Sequence, residues 1–165
     1  MVIQQTLVLV KPDGVARGLT GEVIKRFEQR GLKIVALKLV KVNPDHAKQH
    51  YTEDIAKRHG EKVRSMLLDF LTEGPVVAMI VEGVRAIENV RKLVGATESR
   101  TALPGTIRGD FSHISYSYAD KKGIAVKNVI HASADEKDAK NEIALWFSID
   151  EIFDYKRAGD EYLLE

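Results

Sequence analysis

The stretch TLVLV, residues 6–10, is a short apolar run that leads directly into the turn residues Lys11-Pro12-Asp13-Gly14. An apolar run bounded by Pro and Gly is typical of a buried strand. Residues 32–42 and 76–83 predict two more strands, and the segments between them carry helical patterns. The resulting order is strand, helix, strand, two helices, strand, helix, loop, strand and helix. It predicts an α+β fold, with helices packed on a mostly antiparallel sheet.

The length of 165 residues fits one domain, and the chain contains no internal repeat or low-complexity linker. We therefore predict a single domain over residues 1–165. No run reaches the ~18 apolar residues that span a bilayer, and the N-terminus lacks the basic segment of a signal peptide. We expect a cytoplasmic protein with no membrane partner.

The absence of cysteine and the balance of charge exclude several classes of function. Without cysteine there is no disulfide framework, thiolate nucleophile or sulfur-ligated zinc. The formal net charge is +1, so no overall field attracts a polyanion, and we do not expect nucleic acid as a partner. A small anionic ligand needs only a few local cations, so the net charge does not exclude binding of such a ligand.

Two local patterns predict structure near the C-terminal third. Tyr116 and Tyr118 alternate with serines, and the residues after them read as a turn followed by a second alternating run, so we predict a hairpin at about residues 112–127. Ser133 and Glu136 have the spacing of a capping box and predict a helix start.

The histidines differ in their surroundings. His46, His50 and His59 lie in a polar helical stretch and predict a solvated helix face, because the His-Glu-x-x-His pattern is absent. His131 instead ends an apolar segment just before a predicted helix start, where an anion is favoured. A structural histidine and a reactive one both fit this position. Glu142 lies at the edge of the apolar face of that helix, and a buried carboxylate there would need a partner such as an imidazole.

Donors for phosphate oxygens occur in two places. Lys11 ends the first strand, and a long polar loop after Gly95 offers Thr97, Arg100, Thr106 and Arg108. Neither a P-loop nor a G-x-G-x-x-G motif is present. The residues themselves thus predict an anion-binding α+β domain and no more.

Five segments, in this order, closely resemble the nucleoside diphosphate kinase family: TLVLVKPDGVARGLTGEVIKRFEQRGLKIV, GPVVAMIVEG, VRKLVGATES, PGTIRGDF and NVIHAS. The resemblance runs from about residue 4 to about residue 150. It implies a ferredoxin-like α/β sandwich that transfers the γ-phosphoryl group of a nucleoside triphosphate to a nucleoside diphosphate.

The resemblance also implies roles for individual residues. His131 matches the histidine that the family phosphorylates midway in a ping-pong reaction, and Ser133 and Glu142 match the residues that orient it. The family positions that hold the nucleotide's phosphates and sugar are matched by Lys11, Tyr51, Arg91, Thr97, Arg108 and Asn128. In the family, Mg²⁺ is held through the nucleotide phosphates, with no protein ligand of its own. Family members assemble as homo-oligomers, so we expect a hexamer, with a tetramer as the alternative.

The chain departs from the family pattern at three places. Counting back from Gly74-Pro75 puts Val63 where the family has the phenylalanine that stacks on the base. The predicted hairpin is an addition, which either contacts another subunit or projects into solvent. The usual Gly after the histidine and Asp after the serine are Ala132 and Ala134.

Two other classes of function stay open at this point. A non-catalytic module of the same fold would bind a nucleotide without turnover. A nucleic-acid-binding protein would need a basic stripe, and the sequence contains none.

Overall fold

The computed structural model describes the backbone of residues 3–164 and the side chains of residues 3–162. The domain predicted over residues 1–165 therefore extends beyond the described residues at positions 1, 2 and 165. The strands are β1 (Ile3–Val10), β2 (Lys33–Lys41), β3 (Pro75–Val84) and β4 (Ile130–Ala132). The α-helices are α1 (Pro12–Ala16), α2 (Thr20–Gln29), α3 (Pro44–His50), α4 (Glu53–His59), α5 (Glu61–Thr72), α6 (Ala86–Val94), α7 (Ile107–Phe111), α8 (Tyr116–Lys122), α9 (Glu136–Trp146) and α10 (Asp160–Leu164). Two short 3-10 helices cover Ser99–Thr101 and Ile149–Glu151.

The four strands form one sheet in the order β2-β3-β1-β4, and every neighbouring pair is antiparallel. This strand order is that of the ferredoxin-like fold, so the predicted fold class is confirmed. Within the described residues, no helix has both the length and the apolar character needed to cross a membrane.

The sheet is covered by helices on both faces, which explains why residues 7–10 of β1 and 76–81 of β3 are continuous apolar, buried runs. Alternate residues of each strand enter two separate buried clusters. The first contains Val8 and Val10 of β1 with α2 and α6. The second contains Leu7 and Leu9 of β1 with α3, α5 and α9.

The register between β1 and β4 fixes the direction of His131. Leu9 is paired with His131, while the flanking pairs are Val8 with Ala132 and Val10 with Ile130. Because successive residues of a strand point to opposite faces, His131 shares the face of Leu9, which is the face covered by α3 and α9.

The predicted hairpin at residues 112–127 is wrong: this segment contains helix α8. Ser115 caps the helix by accepting a hydrogen bond from the Tyr118 amide, and Gly123 ends it with a φ of 64°. These are ordinary helix start and stop signals. The alternation of tyrosine and serine suggested a strand with one buried face. In the structure Tyr116 and Tyr118 are both exposed, and the helix buries Ala119 instead.

Helix α9 also starts differently from the prediction. Its cap is Asp135, whose carboxylate accepts from the Asp138 amide, and Ser133 belongs to the preceding strand end. The capping box of Ser148 and Glu151 is present, as is the Asn43 cap before Pro44. Helix α4 was missed, because no strong apolar periodicity marks it and none of its residues is buried.

Candidate active site

The imidazole of His131 is held by the carboxylate of Glu142. Nε2 lies 2.9 Å from Oε1 and 3.0 Å from Oε2 of this glutamate. Ser133 donates from Oγ to Glu142 Oε2 at 2.6 Å, and its own Oγ accepts from the Leu7 amide at 3.2 Å. Strand β1 thus positions the serine, the serine positions the carboxylate, and the carboxylate positions the imidazole.

This arrangement selects one form of the neutral ring. A carboxylate only accepts hydrogen bonds, so Nε2 of His131 carries the hydrogen and Nδ1 carries the free lone pair. Nδ1 has no hydrogen-bond partner among the described residues, and His131 lines a cleft. The ring is therefore oriented for attack by Nδ1 on an electrophile in that cleft.

A second histidine, His50, packs against the first. The two ring centroids are 4.7 Å apart and nearly perpendicular. The side chain of His50 is only 1% exposed, and its Nδ1 accepts from Nε1 of Trp146 at 3.3 Å. Burial, and then the nearby His131, hold the pKa of His50 well below its ordinary value, so the ring is neutral.

The prediction that these histidines lie on a solvated helix face is therefore wrong for His50, and His46 is half-buried. The ring of His46 packs edge-on against Trp146 at a centroid distance of 4.5 Å, whereas His59 is exposed. A signal was available, since Ala47 and Tyr51 are apolar and lie on the same helical face as His50.

Lys11, Asn128 and Thr97 form a chain along the cleft. Lys11 Nζ donates to Asn128 Oδ1 at 2.8 Å, and Asn128 Nδ2 donates to the Thr97 carbonyl at 2.8 Å. Lys11 is buried with no carboxylate bonded to its ammonium group. Burial, and then the positive charge of Arg108, lower the pKa of Lys11 to about 7. An anion in the cleft would supply the missing negative charge.

Arg108 is likewise buried and bonded to carbonyls rather than to carboxylates. Its guanidinium donates to the carbonyls of Gly95, Asn128 and Ile130 at 3.0, 3.4 and 2.7 Å. Burial, and then Arg91, lower the pKa of Arg108 to about 10, so it stays charged near neutral pH. Arg91 is exposed on α6 and lines the same cleft.

The backbone just before His131 is strained. Val129 has a φ of 70°, and the Ile130 amide donates to the Asn128 carbonyl at 2.7 Å. A positive φ with this hydrogen bond defines a classic γ-turn, which is rare, and a β-branched residue in it is an outlier. Strain of this kind costs about 1–3 kcal/mol and survives only where the surroundings fix it.

A cleft of about 860 Å³ brings most of the predicted site together. The predicted residues that line it are Lys11, Tyr51, Arg91, Thr97, Arg108, Asn128, His131 and Glu142. Ser133 lies behind Glu142 with no exposure, as an orienting residue should. Tyr51 is buried, and burial, followed by the charge of Glu142, raises the pKa of its hydroxyl.

Val63 is the predicted residue that the structure does not bring to the cleft. It is half-buried on α5, and Leu67, one helical turn later, lines the cleft instead. Counting back from Gly74-Pro75 therefore gave a residue outside the cleft. The site predicted from the sequence also lacked Arg58 of α4 and Lys137 of α9, which are exposed cations in the cleft wall.

Nitrogen and oxygen atoms of His50, His131 and Glu142 lie within 4.8 Å of one another, as metal ligands would. However, Glu142 already bonds His131 and Ser133, and Nδ1 of His50 already accepts from Trp146. These contacts occupy both oxygens of Glu142 and the lone pair of His50 Nδ1, so of the three residues His131 alone offers a free lone pair, at Nδ1. The cluster is therefore better explained as a device that orients His131.

A carboxylate-held imidazole facing a cleft with buried and exposed cations is the arrangement that a phosphotransferase with a histidine nucleophile needs. Comparison with known proteins narrows this class. The family model described as nucleoside diphosphate kinase matches residues 4–152. The chain belongs to the nucleoside diphosphate kinase family, and it is an enzyme that exchanges γ-phosphoryl groups between nucleotides.

Individual relatives agree along nearly the whole chain. A nucleoside diphosphate kinase of Borreliella burgdorferi is 54% identical over 158 residues, covering 95% of each chain. One from Pyrococcus furiosus is 45% identical over 163 residues, covering 99% of this chain and 94% of the relative. A solved structure of the Borrelia burgdorferi enzyme, a transition-state mimic with bound vanadate and ADP, superposes with a TM-score of 0.95. It is 53% identical and covers 97% of this chain and 96% of the other.

Proposed function

We propose that His131 is the residue that carries the phosphoryl group between the two nucleotides. The observation that supports this most directly is the contact between Nε2 of His131 and the Glu142 carboxylate, which leaves Nδ1 as the nucleophile. In the first half-reaction, the Nδ1 lone pair forms a bond to the γ-phosphorus and the bond from phosphorus to the bridging oxygen breaks. The nucleoside diphosphate leaves with the electron pair.

The second half-reaction runs in reverse with another nucleotide. A terminal β-phosphate oxygen of the incoming nucleoside diphosphate attacks the phosphorus, and the electron pair of the N–P bond returns to Nδ1. Both nucleotides use one cleft, because the residues described above provide a single nucleophile. His131 is thus alternately free and phosphorylated, as a ping-pong mechanism requires.

The cations of the cleft bind the phosphates and stabilise the charge that builds on their oxygens. Lys11 has two further N–H donors beyond the one bonded to Asn128, and Arg108 keeps donors beyond its three carbonyl contacts. Arg91 lies at the open side of the cleft. We assign Thr97 and Asn128 to phosphate and sugar contacts, and Tyr51 to the wall beside them.

Kinases of this family need a divalent cation, and we propose Mg²⁺. The donor set fits a metal that is held by the nucleotide, because Glu142 is already committed to His131 and five Lys and Arg side chains line the cleft against two other carboxylates, Asp54 and Asp138. When bound, Mg²⁺ neutralises charge on the phosphate oxygens. Lys11 and Arg108 would hold the same phosphates from the protein side.

We also propose that the protein is a homo-oligomer, with a hexamer favoured over a tetramer. Strand β2 lies at an edge of the sheet. Phe153 and Tyr155 bond the carbonyls of Val35 and Ile34 at the start of this strand, and an edge strand offers its remaining outer backbone groups for pairing. Leu37 and Leu39 on this strand are 52% and 67% exposed. An exposed apolar edge strand is suited to antiparallel pairing with its copy in a second subunit, which also covers these leucines.

Two further assignments accompany this function. We propose that residues 1–165 act as one domain, since both buried clusters share the same sheet. We propose a cytoplasmic location, because nucleoside triphosphates are available there and a chain without cysteine needs no oxidising compartment.

Phosphoryl transfer through His131 can be tested with γ-labelled ATP and magnesium, followed by unlabelled nucleoside diphosphate. Wild type should acquire an acid-labile label that the diphosphate discharges. His131→Ala should take up no label, whereas His59→Ala, which alters an exposed histidine, should behave as wild type.

Each alternative gives a different result in this experiment. A label that persists in His131→Ala would assign the nucleophile to another residue. Nucleotide binding without any label in wild type would identify a non-catalytic nucleotide-binding module.

A further inference from the structure

We infer that Asp13 is a positioning residue for phosphoryl transfer, acting through the γ-turn that precedes His131. The inference rests on the proposed role of His131 as the nucleophile. Asp13 itself touches neither the ring of His131 nor the ammonium group of Lys11 by a hydrogen bond. Its carboxylate Oδ2 instead accepts from the Val129 amide at 3.0 Å.

The γ-turn lies between two parts of the active site. Asn128, at its start, binds Lys11 and Thr97 through its side chain. Ile130, at its end, begins the strand that carries His131. The conformation of Val129 therefore sets the distance and direction between the groups that hold phosphate and the group that attacks it.

The turn that contains Asp13 holds Val129 from one side. The Lys11 amide donates to the Val129 carbonyl at 2.8 Å, and Asp13 accepts from the Val129 amide. Gly14 packs so closely that a Cβ added there would lie 2.9 Å from the Val129 carbonyl oxygen. On the other side, Arg108 donates to the carbonyls that flank Val129.

Asp13 is the member of this clamp that the strained residue depends on most. Val129 has no exposure, so its amide would lack any partner if the carboxylate were removed. An unpaired buried amide and a positive φ together favour relaxation of the turn. The other contacts of the clamp go to carbonyl oxygens and cannot replace an acceptor for this amide.

A purely structural role for Asp13 would be to stabilise the first turn of α1, where acidic residues are favourable. The chain offers a matched control for that role. Asp45 also follows a proline in the first turn of a helix, but its side chain is 88% exposed and makes no contact with the active site.

The test measures separately the number of competent active sites and the rate constant of His131 phosphorylation. Rapid-quench experiments with γ-labelled ATP and magnesium measure the amplitude of phosphohistidine formation, which counts active sites, and its rate constant. For Asp13→Ala we expect full amplitude with a rate constant about 10- to 100-fold lower, as for a misplaced reacting group. Asp13→Asn keeps an acceptor for the Val129 amide and should restore most of the rate, and Asp45→Ala should match wild type.

Two results would overturn the inference. One is an unchanged rate constant in Asp13→Ala, whatever its amplitude, and the other is an equal effect of Asp45→Ala. If Asp13→Ala does not fold, Asp13→Glu decides, because it keeps the charge and displaces the carboxylate. A wild-type rate constant in Asp13→Glu contradicts the inference, and a lowered one at full amplitude supports it. Absence of label in wild type would instead refute the role of His131.

Discussion

Glu142 contacts His131 through both carboxylate oxygens, at 2.9 and 3.0 Å from Nε2. Such a contact does not make the imidazole a nucleophile, but it determines which nitrogen becomes one. It also holds the carboxylate where it can stabilise the positive charge that develops on the ring as the N–P bond forms.

Glu142→Gln should therefore slow phosphorylation of His131 without abolishing nucleotide binding. The amide can donate to Nε2 as well as accept from it, so the ring is no longer held in one tautomer. We expect kcat to fall about 10- to 100-fold, as when a partner that orients a metal-bound histidine is lost. Glu136→Gln, an exposed change on the same helix, is the control. Equal kcat values for the two variants would contradict the assigned role.

Nucleotide binding should be coupled to protonation of Lys11. Its pKa is about 7 in the free protein, so at pH 8 most molecules carry a neutral amine. Phosphates favour the charged form and raise this pKa, so binding at pH 8 should take up about one proton.

Calorimetry with ADP in two buffers of different ionisation enthalpy measures this uptake. It should disappear in Lys11→Met at pH 8. Lys140→Met, an exposed change outside the cleft, should retain it. Equal binding enthalpies in both buffers at pH 8 would show that Lys11 does not titrate.

The base of the nucleotide should lie against Leu67 rather than Val63. Leu67 lines the cleft and Val63 does not. Leu67→Phe provides a ring face for stacking and should lower the nucleotide KM by at least about fivefold, which corresponds to the lower end of stacking energies. Val63→Phe is the matched control and should leave KM unchanged. The reverse result would restore the assignment made from the sequence.

If the proposed homo-oligomer forms through β2, replacement of Leu37 and Leu39 by lysine should dissociate it. Charge on an edge strand opposes pairing with another copy, and both side chains are exposed enough to accept it without disturbing the core. Light scattering after size exclusion should show a lower mass, with the far-UV circular dichroism unchanged. A wild-type mass would place the subunit contact elsewhere.

The parts of this structure that were predictable are those in which local signals and the long-range fold agree. The apolar runs of β1 and β3 are unambiguous because both of their faces are buried. The pairing of His131 with Glu142 was anticipated from a carboxylate at the edge of an apolar helix face. The set of cationic residues around it came from family resemblance, because Lys11 and Arg108 lie far apart in sequence.

The errors have physical causes as well. Alternation of tyrosine and serine at residues 115–118 fits a strand. This segment does not pair with any strand of the described sheet, and the Ser115 cap favours a helix. His50 was taken for a solvated residue because two of the rings that pack on it, those of Trp146 and His131, lie far away in the sequence, and because the apolar neighbours Ala47 and Tyr51 were not weighed. The clamp on Val129 is invisible in the sequence, since valine gives no sign of a left-handed backbone.

The hydrogen bond from Trp146 to His50 has a practical consequence. The chain contains one tryptophan, and its indole nitrogen bonds a ring that in turn packs on His131 at a centroid distance of 4.7 Å. A doubly charged group added to His131 changes the electric field at the indole, and indole emission responds to such fields. The intrinsic fluorescence of the protein should therefore report each half-reaction in real time, without any label or coupled enzyme.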